Sequence, residues 1–99
     1  MAADQVSRLW RKHSHAEFPE RLRGAELAGV DLVTLDSDVA GCVKSCLASK
    51  GSLDEAQKQV LVRRLDDLDA VLPLLGRRTE SLYYGRLREL STLILDLQP

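Results

Sequence analysis

Two charged side chains stand where apolar side chains are expected. Asp36 interrupts an apolar stripe of helical spacing over residues 32–47, and Arg86 interrupts a second stripe over residues 82–97. A lone charge on a core face is costly, so such a residue usually has a partner or marks a site. We therefore predict that Asp36 and Arg86 are each other's partner.

Three interpretations of this pair follow from its chemistry. The two side chains can form a buried ion pair that sets how two helices align. Alternatively, a small helix rotation lets them reach water, with the stem of Arg86 lying along apolar surface. In the third interpretation, Asp36, Arg86 and the hydroxyl of Tyr83 line a polar pocket that binds a small ligand.

Other residues with reactive or metal-binding side chains form no recognisable motif. Cys42 and Cys46 are spaced C-x3-C, and His13 and His15 are spaced H-x-H, neither of which matches a zinc knuckle. Buried thiols behave as small hydrophobes, and His13 falls on an apolar helical face, so these residues are predicted to belong to the core. Without a nucleophile, phosphate loop or cofactor motif, we predict a non-enzyme with no metal and no cofactor.

Composition limits the class of protein. The 99 residues carry 14 basic and 15 acidic side chains, a balance that argues against a dedicated nucleic-acid-binding domain. A short basic cluster at residues 8–12 supports the alternative, which is a nucleic-acid contact at this place. Because no apolar run has the length of a membrane span or signal peptide, we expect a single cytoplasmic domain over residues 1–99 with reduced cysteines.

Hydrophobic periodicity predicts four helices and no sheet. The first helix is short, is capped by Asp4 and ends near residue 15, and residues 16–29 are mostly irregular. The second helix spans about residues 30–51 and has Asp31 at its positive end. The fold class is therefore all-α: a four-helix bundle-like domain with a short N-terminal helix and three longer antiparallel helices.

Capping signals place the last two helices. Ser52 and Glu55 form an S-x-x-E capping box at the start of the third helix. Pro73 and Gly76 end that helix, and Thr79 caps a fourth helix that reaches nearly to residue 97. The predicted core consists of Leu32, Leu35, Val39, Val43, Cys46, Leu61, Leu65, Leu68, Leu72, Tyr83, Leu90 and Ile94.

Surplus apolar residues on helix margins favour an interaction surface. These residues are Trp10, Tyr84 and Leu95, of which Tyr84 and Leu95 lie away from the main stripe of their helix, and exposed apolar patches often mark interfaces. We therefore expect a non-catalytic protein-interaction or regulatory module, with a protein partner or a homodimer. The alternative is a small-ligand-binding or sensory domain with its pocket around Asp36 and Arg86.

Three stretches of the chain resemble one family. They are RLRGAELAGVDLVTLDSDVAGC, LDDLDAVLPLL and LYYGRLRELSTLI. Together they are similar to a family of small helical bacterial proteins of about this length that have no known function. The resemblance implies a bacterial cytoplasmic protein and brings no functional residue with it.

Overall fold

The computed structural model describes residues 2–99, which form an all-α domain of four packed helices. The second and fourth helices each contact the other three. The fourth helix packs more extensively than the second against the N-terminal helix. No helix among the described residues is long and apolar enough to cross a membrane. The elements are α1 (Ala2–Ser14), a 3-10 turn (Glu20–Leu22), β1 (Glu26–Leu27), β2 (Val30–Asp31), α2 (Leu32–Ala48), α3 (Glu55–Val71), a second 3-10 turn (Leu72–Leu74) and α4 (Arg78–Leu97).

A small hairpin precedes α2, so the expectation of no sheet was wrong. Strands β1 and β2 pair antiparallel, with Leu27 opposite Val30. The two residues between them, Ala28 and Gly29, both have positive φ, as a tight two-residue hairpin turn requires. Each strand has only two residues, too few for an alternating pattern to be visible in the sequence.

The hairpin also decides where α2 begins. The helix starts at Leu32 rather than Val30 because the preceding residues pair as strand β2. Asp31 is its N-cap, and the carboxylate accepts a hydrogen bond of 2.9 Å from the backbone N–H of Thr34. The prediction that Asp31 lies at the positive end of this helix is confirmed.

Three predicted caps were wrong. Helix α1 begins at Ala2, which leaves Asp4 inside the helix. Helix α3 is capped by a reciprocal pair two residues beyond the predicted box, Asp54 with Gln57, in which the Asp54 carboxylate accepts from the Gln57 N–H at 2.7 Å. Helix α4 begins at Arg78, so Thr79 lies within its first turn and does not cap it.

The core is one cluster at the centre of the four helices, and most predicted members are buried in it. Leu65 and Leu72 are only half-buried at its margin. Leu82, which is the first residue of the predicted α4 stripe, is 49% exposed. The buried hydrophobic residues are Val6, Leu22, Val30, Leu32, Leu35, Val39, Cys42, Val43, Cys46, Leu61, Leu68, Val71, Tyr83, Tyr84, Leu87, Leu90 and Ile94.

An ion pair fastens the segment between α1 and α2 to the rest of the domain. The guanidinium of Arg21 donates to both carboxylate oxygens of Glu80, at 2.8 Å and 2.6 Å. Glu80 is only 1% exposed although it carries a charge. This fork-shaped contact holds the first 3-10 turn against the start of α4.

Candidate functional site

An open pocket of about 420 Å³ lies where α1, α2 and α4 meet. The lining comes from α1 and the residues just after it, from α2, and from one aromatic side chain of α4. The lining residues are Trp10, His13, Ser14, Ala16, Asp36, Ala40, Lys44 and Tyr83. Two of the predicted site residues, Asp36 and Tyr83, are therefore brought together in this pocket.

His13 is the most deeply buried polar residue of the pocket lining. It is 3% exposed, and its Nδ1 accepts a hydrogen bond of 3.2 Å from Nε of Arg86. The Nε atom of an arginine is a donor only, so Nδ1 carries no hydrogen. In the neutral ring the hydrogen is therefore on Nε2, which makes that nitrogen a donor.

The Nε2 atom of His13 has no hydrogen-bond partner, and it is the one such buried side-chain polar atom among residues 2–99. The closest acidic oxygen, Oδ1 of Asp36, lies 3.7 Å away. This separation exceeds the usual length of a hydrogen bond. The two atoms are therefore within ion-pair distance of each other but beyond hydrogen-bond length.

The second carboxylate oxygen of Asp36 is occupied. Oδ2 accepts from the hydroxyl of Tyr83 at 3.0 Å, and the Asp36 side chain is 21% exposed. Burial raises the pKa of Tyr83 above its ordinary value, and the charge and hydrogen bond of Asp36 raise it further, against the opposing charge of Arg86. The hydroxyl therefore stays protonated and orients the carboxylate.

Asp36 and Arg86 do not contact each other directly, which corrects the predicted pairing. No ion pair joins them within the part of the chain that the structure describes, and His13 lies between them. The sequence places His13 on an apolar helical face and predicts a satisfied or half-exposed core histidine. One signal in the sequence pointed to the role of His13. Two charged residues and one histidine each occupy an apolar stripe, and the three stripes belong to three different helices.

Aromatic rings hold the histidine in place. The Tyr83 ring centroid lies 4.3 Å from that of His13, and the Trp10 centroid lies 5.9 Å from it. Phe18 packs edge-on against Tyr83 at 5.6 Å. The guanidinium of Arg86 lies 5.8 Å from the Tyr83 ring centroid, within cation–π range.

The predicted interaction residues do not share one surface role. Tyr84 is fully buried, and its hydroxyl donates to the carbonyl of Leu32 at 2.7 Å, so its assignment to an interaction surface was wrong. Trp10 is half-buried in the pocket wall. Leu95 is half-buried and packs against the core.

The four sulfur and imidazole residues also lie apart. His15 is exposed and contacts the carbonyl of Arg11 through Nδ1 at 2.7 Å. Cys42 and Cys46 are free and buried along α2. No group of three or more potential metal ligands occurs among the described residues.

A larger recess lies elsewhere on the surface but is less suited to binding. It has a volume of about 760 Å³ and is lined by residues that include Glu20 and Arg23. These two exposed side chains already pair with each other at 3.1 Å. The pocket at His13 therefore holds the more informative chemistry, because it combines a buried imidazole with a partly exposed carboxylate.

Comparison with known proteins brings no further assignment to the site. No protein-family model matches the chain, and neither a curated protein nor a solved structure matches it. The fold and the pocket define the class of protein: a small all-α domain with a polar pocket between helices.

Proposed function

We propose that this protein is a small-ligand-binding or sensory domain whose site is the pocket around His13 and Asp36. The observation that carries the proposal is the open pocket of about 420 Å³, whose lining brings the partly exposed Asp36 carboxylate beside the rings of Trp10 and Tyr83. A ligand in this pocket would contact the exposed part of the Asp36 carboxylate and the Trp10 ring.

The tautomer of His13 argues against a general base at its Nε2 atom. A general base at Nε2 would need a free lone pair on that nitrogen. The bond from Arg86 to Nδ1 instead keeps the hydrogen on Nε2. The proposed role is therefore to hold a ligand, and the domain is proposed to be non-catalytic.

The test is a fragment screen by saturation-transfer NMR against the purified protein, repeated on two variants. Ala40→Leu adds a bulky side chain to the pocket lining, whereas Ala48→Leu adds the same side chain at an exposed position of α2. We expect compounds that bind the wild-type protein and Ala48→Leu but not Ala40→Leu. A screen in which no compound depends on Ala40 would overturn the proposal.

A protein-interaction or regulatory role, with a protein partner or a homodimer, is the second candidate. It is supported by the exposure of Leu74 and Leu82, at 54% and 49%. Sedimentation velocity over a wide concentration range tests it for self-association. Concentration-dependent sedimentation that Leu82→Gln abolishes would support the homodimer, and a monomer at every concentration would contradict it.

The proposal also assigns the domain to the cytoplasm. Both cysteines are free thiols. Reduced cysteines are typical of that compartment. The resemblance to small bacterial helical proteins points in the same direction.

A further inference from the structure

We propose that protonation of His13 switches the polar partner of α1 from Arg86 on α4 to Asp36 on α2. In the structure, Nδ1 of the ring is bonded to Arg86 at 3.2 Å, and Nε2 lies 3.7 Å from the Asp36 carboxylate. This inference goes beyond ligand binding, because it requires only a proton from solvent and side chains of this chain.

The hydrogen bond from Arg86 requires a neutral imidazole. Its acceptor is the lone pair of Nδ1, and a proton that binds the ring occupies that lone pair. Nδ1 of the imidazolium and Nε of Arg86 are then two facing donors on groups of like charge. His13 is buried and Arg86 is half-buried, so little water is present to screen this repulsion. The bond between α1 and α4 must therefore break when the ring is protonated.

The other side of the ring gains a partner in the same step. Nε2 of the imidazolium lies within ion-pair distance of Oδ1 of Asp36, and the attraction between the two charges is absent while the ring is neutral. Oδ2 of Asp36 accepts from the Tyr83 hydroxyl at 3.0 Å, which holds the carboxylate in position. A small rotation of the ring then brings Nε2 within hydrogen-bond length of Oδ1.

The groups that face the ring have opposite effects on its charged form. Asp36 on α2 stabilises the imidazolium, whereas Arg86 on α4 destabilises it. Tyr83 on α4 stays neutral, because burial and the charge of Asp36 raise the pKa of its hydroxyl. Lys44 on α2 adds a positive charge to the same pocket lining. Proton binding is therefore coupled to the choice between the two neighbouring helices.

The test is an NMR titration of the isotope-labelled wild-type protein from about pH 8 to about pH 5, the range in which histidine ordinarily titrates. The ring nitrogens report protonation of His13, and the Nε–H signal of Arg86 reports the bond. We expect the Arg86 signal to move from its hydrogen-bonded position at the same pH at which the His13 ring is protonated. An Arg86 signal that does not change when the ring is protonated would overturn the proposal, and so would a ring that stays neutral until the domain unfolds.

His15 provides the matched control. It lies two residues farther along the chain and is exposed, with its ring on the carbonyl of Arg11. His13→Gln should abolish the pH-dependent change at Arg86, and His15→Gln should leave it intact. A change that survives in folded His13→Gln would show that another group causes it and would refute the switch. If circular dichroism shows that His13→Gln does not fold, the agreement of the His13 and Arg86 curves in His15→Gln decides the question.

Asp36→Asn tests whether the partner of the protonated ring is on α2. The variant keeps the size of the side chain and removes the negative charge that attracts the imidazolium. We expect the change at Arg86 to shift to lower pH in this variant, because the charged ring has lost its new partner. An unchanged Arg86 curve in Asp36→Asn would contradict the transfer from α4 to α2.

Discussion

Nε of Arg86 on α4 donates to Nδ1 of His13 on α1 at 3.2 Å, and this bond decides which ring nitrogen carries the hydrogen. An arginine cannot accept, so the neutral histidine must present Nε2–H toward Asp36 on α2. Three helices thus meet at one imidazole ring. Arg86 thus acts on the pocket through its hydrogen bond to His13 and its charge beside Tyr83, and no ion pair joins it to Asp36 in the described part of the chain.

The first prediction concerns Arg86→Met, which keeps the apolar stem and removes the donor. Nδ1 of His13 then lies buried without a partner, and we expect a loss of about 1–3 kcal/mol in the free energy of unfolding. Nitrogen NMR of the imidazole should show one tautomer in the wild-type protein and a mixture in the variant.

The matched control for Arg86 is Arg88→Met on the same helix. Arg88 pairs with Asp69 on the surface, where both side chains are substantially exposed. Exposed pairs contribute about 0–1 kcal/mol. Equal losses in the two variants, with an unchanged histidine tautomer, would contradict the role assigned to Arg86.

The second prediction is a double-mutant cycle between Tyr83→Phe and Asp36→Ala. The Tyr83 hydroxyl donates to Asp36 at 3.0 Å, so the two changes should be coupled by about 0.5–1.5 kcal/mol. Tyr84→Phe is the control, because its hydroxyl donates to the Leu32 carbonyl instead. Its effect should add to that of Asp36→Ala within about 0.5 kcal/mol, as measured by urea unfolding. Additive effects of Tyr83→Phe and Asp36→Ala would be incompatible with this bond.

The site was only partly predictable because its residues lie far apart in the sequence. The apolar stripes located the helices and identified Asp36, Arg86 and Tyr83 as residues of interest. They could not show that His13 lies between the charges, because that depends on how α1 rests against α2 and α4. The contact between Arg21 and Glu80 spans 59 residues and has no local signal.

The third prediction concerns Glu80 and acid unfolding. The hydrogen bond from Arg21 lowers the pKa of this carboxyl below its ordinary value of 4.5, with the charge of Arg21 adding to the effect against burial. The unfolded chain therefore binds a proton more readily than the folded chain does. The stabilisation is complete above pH 4.5 and is lost as the pH falls through the lower pKa of the folded protein.

Glu80→Gln tests this linkage. We expect thermal unfolding of the wild-type protein to shift downward steeply below pH 4.5 and the variant to show a shallower dependence there. At neutral pH the variant should be less stable, because the charged partner of Arg21 is gone. Glu26→Gln, at an exposed position of β1, is the control and should leave the curve unchanged. Identical pH curves for the wild-type protein and Glu80→Gln would refute the assignment.

The fourth prediction separates two caps for α3. The S-x-x-E pattern favours Ser52 with Glu55, but the structure uses Asp54 with Gln57. Local patterns of this kind overlap in sequence, and only the backbone conformation at each residue decides between them. Asp54→Ala should therefore cost about 1 kcal/mol, and Ser52→Ala should cost less. Chemical denaturation of both variants measures the difference, and a larger loss for Ser52→Ala would restore the sequence-based cap.

The fifth prediction concerns the reactivity of the two thiols. Cys42 is 4% exposed and Cys46 is 1% exposed. Burial raises the pKa of both thiols, and the charges of Asp38 and Asp54 raise that of Cys42 further. Because the thiolate is the reactive form, alkylation by iodoacetamide in the native protein should be at least about tenfold slower than in urea.

Mass spectrometry of timed samples gives the alkylation rate of each cysteine separately. Both should react at slow rates that rise together as urea unfolds the domain, since reaction requires opening of α2 against its neighbours. Rapid labelling of Cys42 alone in native buffer would show that its thiol reaches solvent at the contact with α3, where it donates to the Gln57 carbonyl at 3.7 Å. That result would contradict a buried position for Cys42, and slow labelling of both thiols fits two core residues that take no part in the chemistry of the pocket.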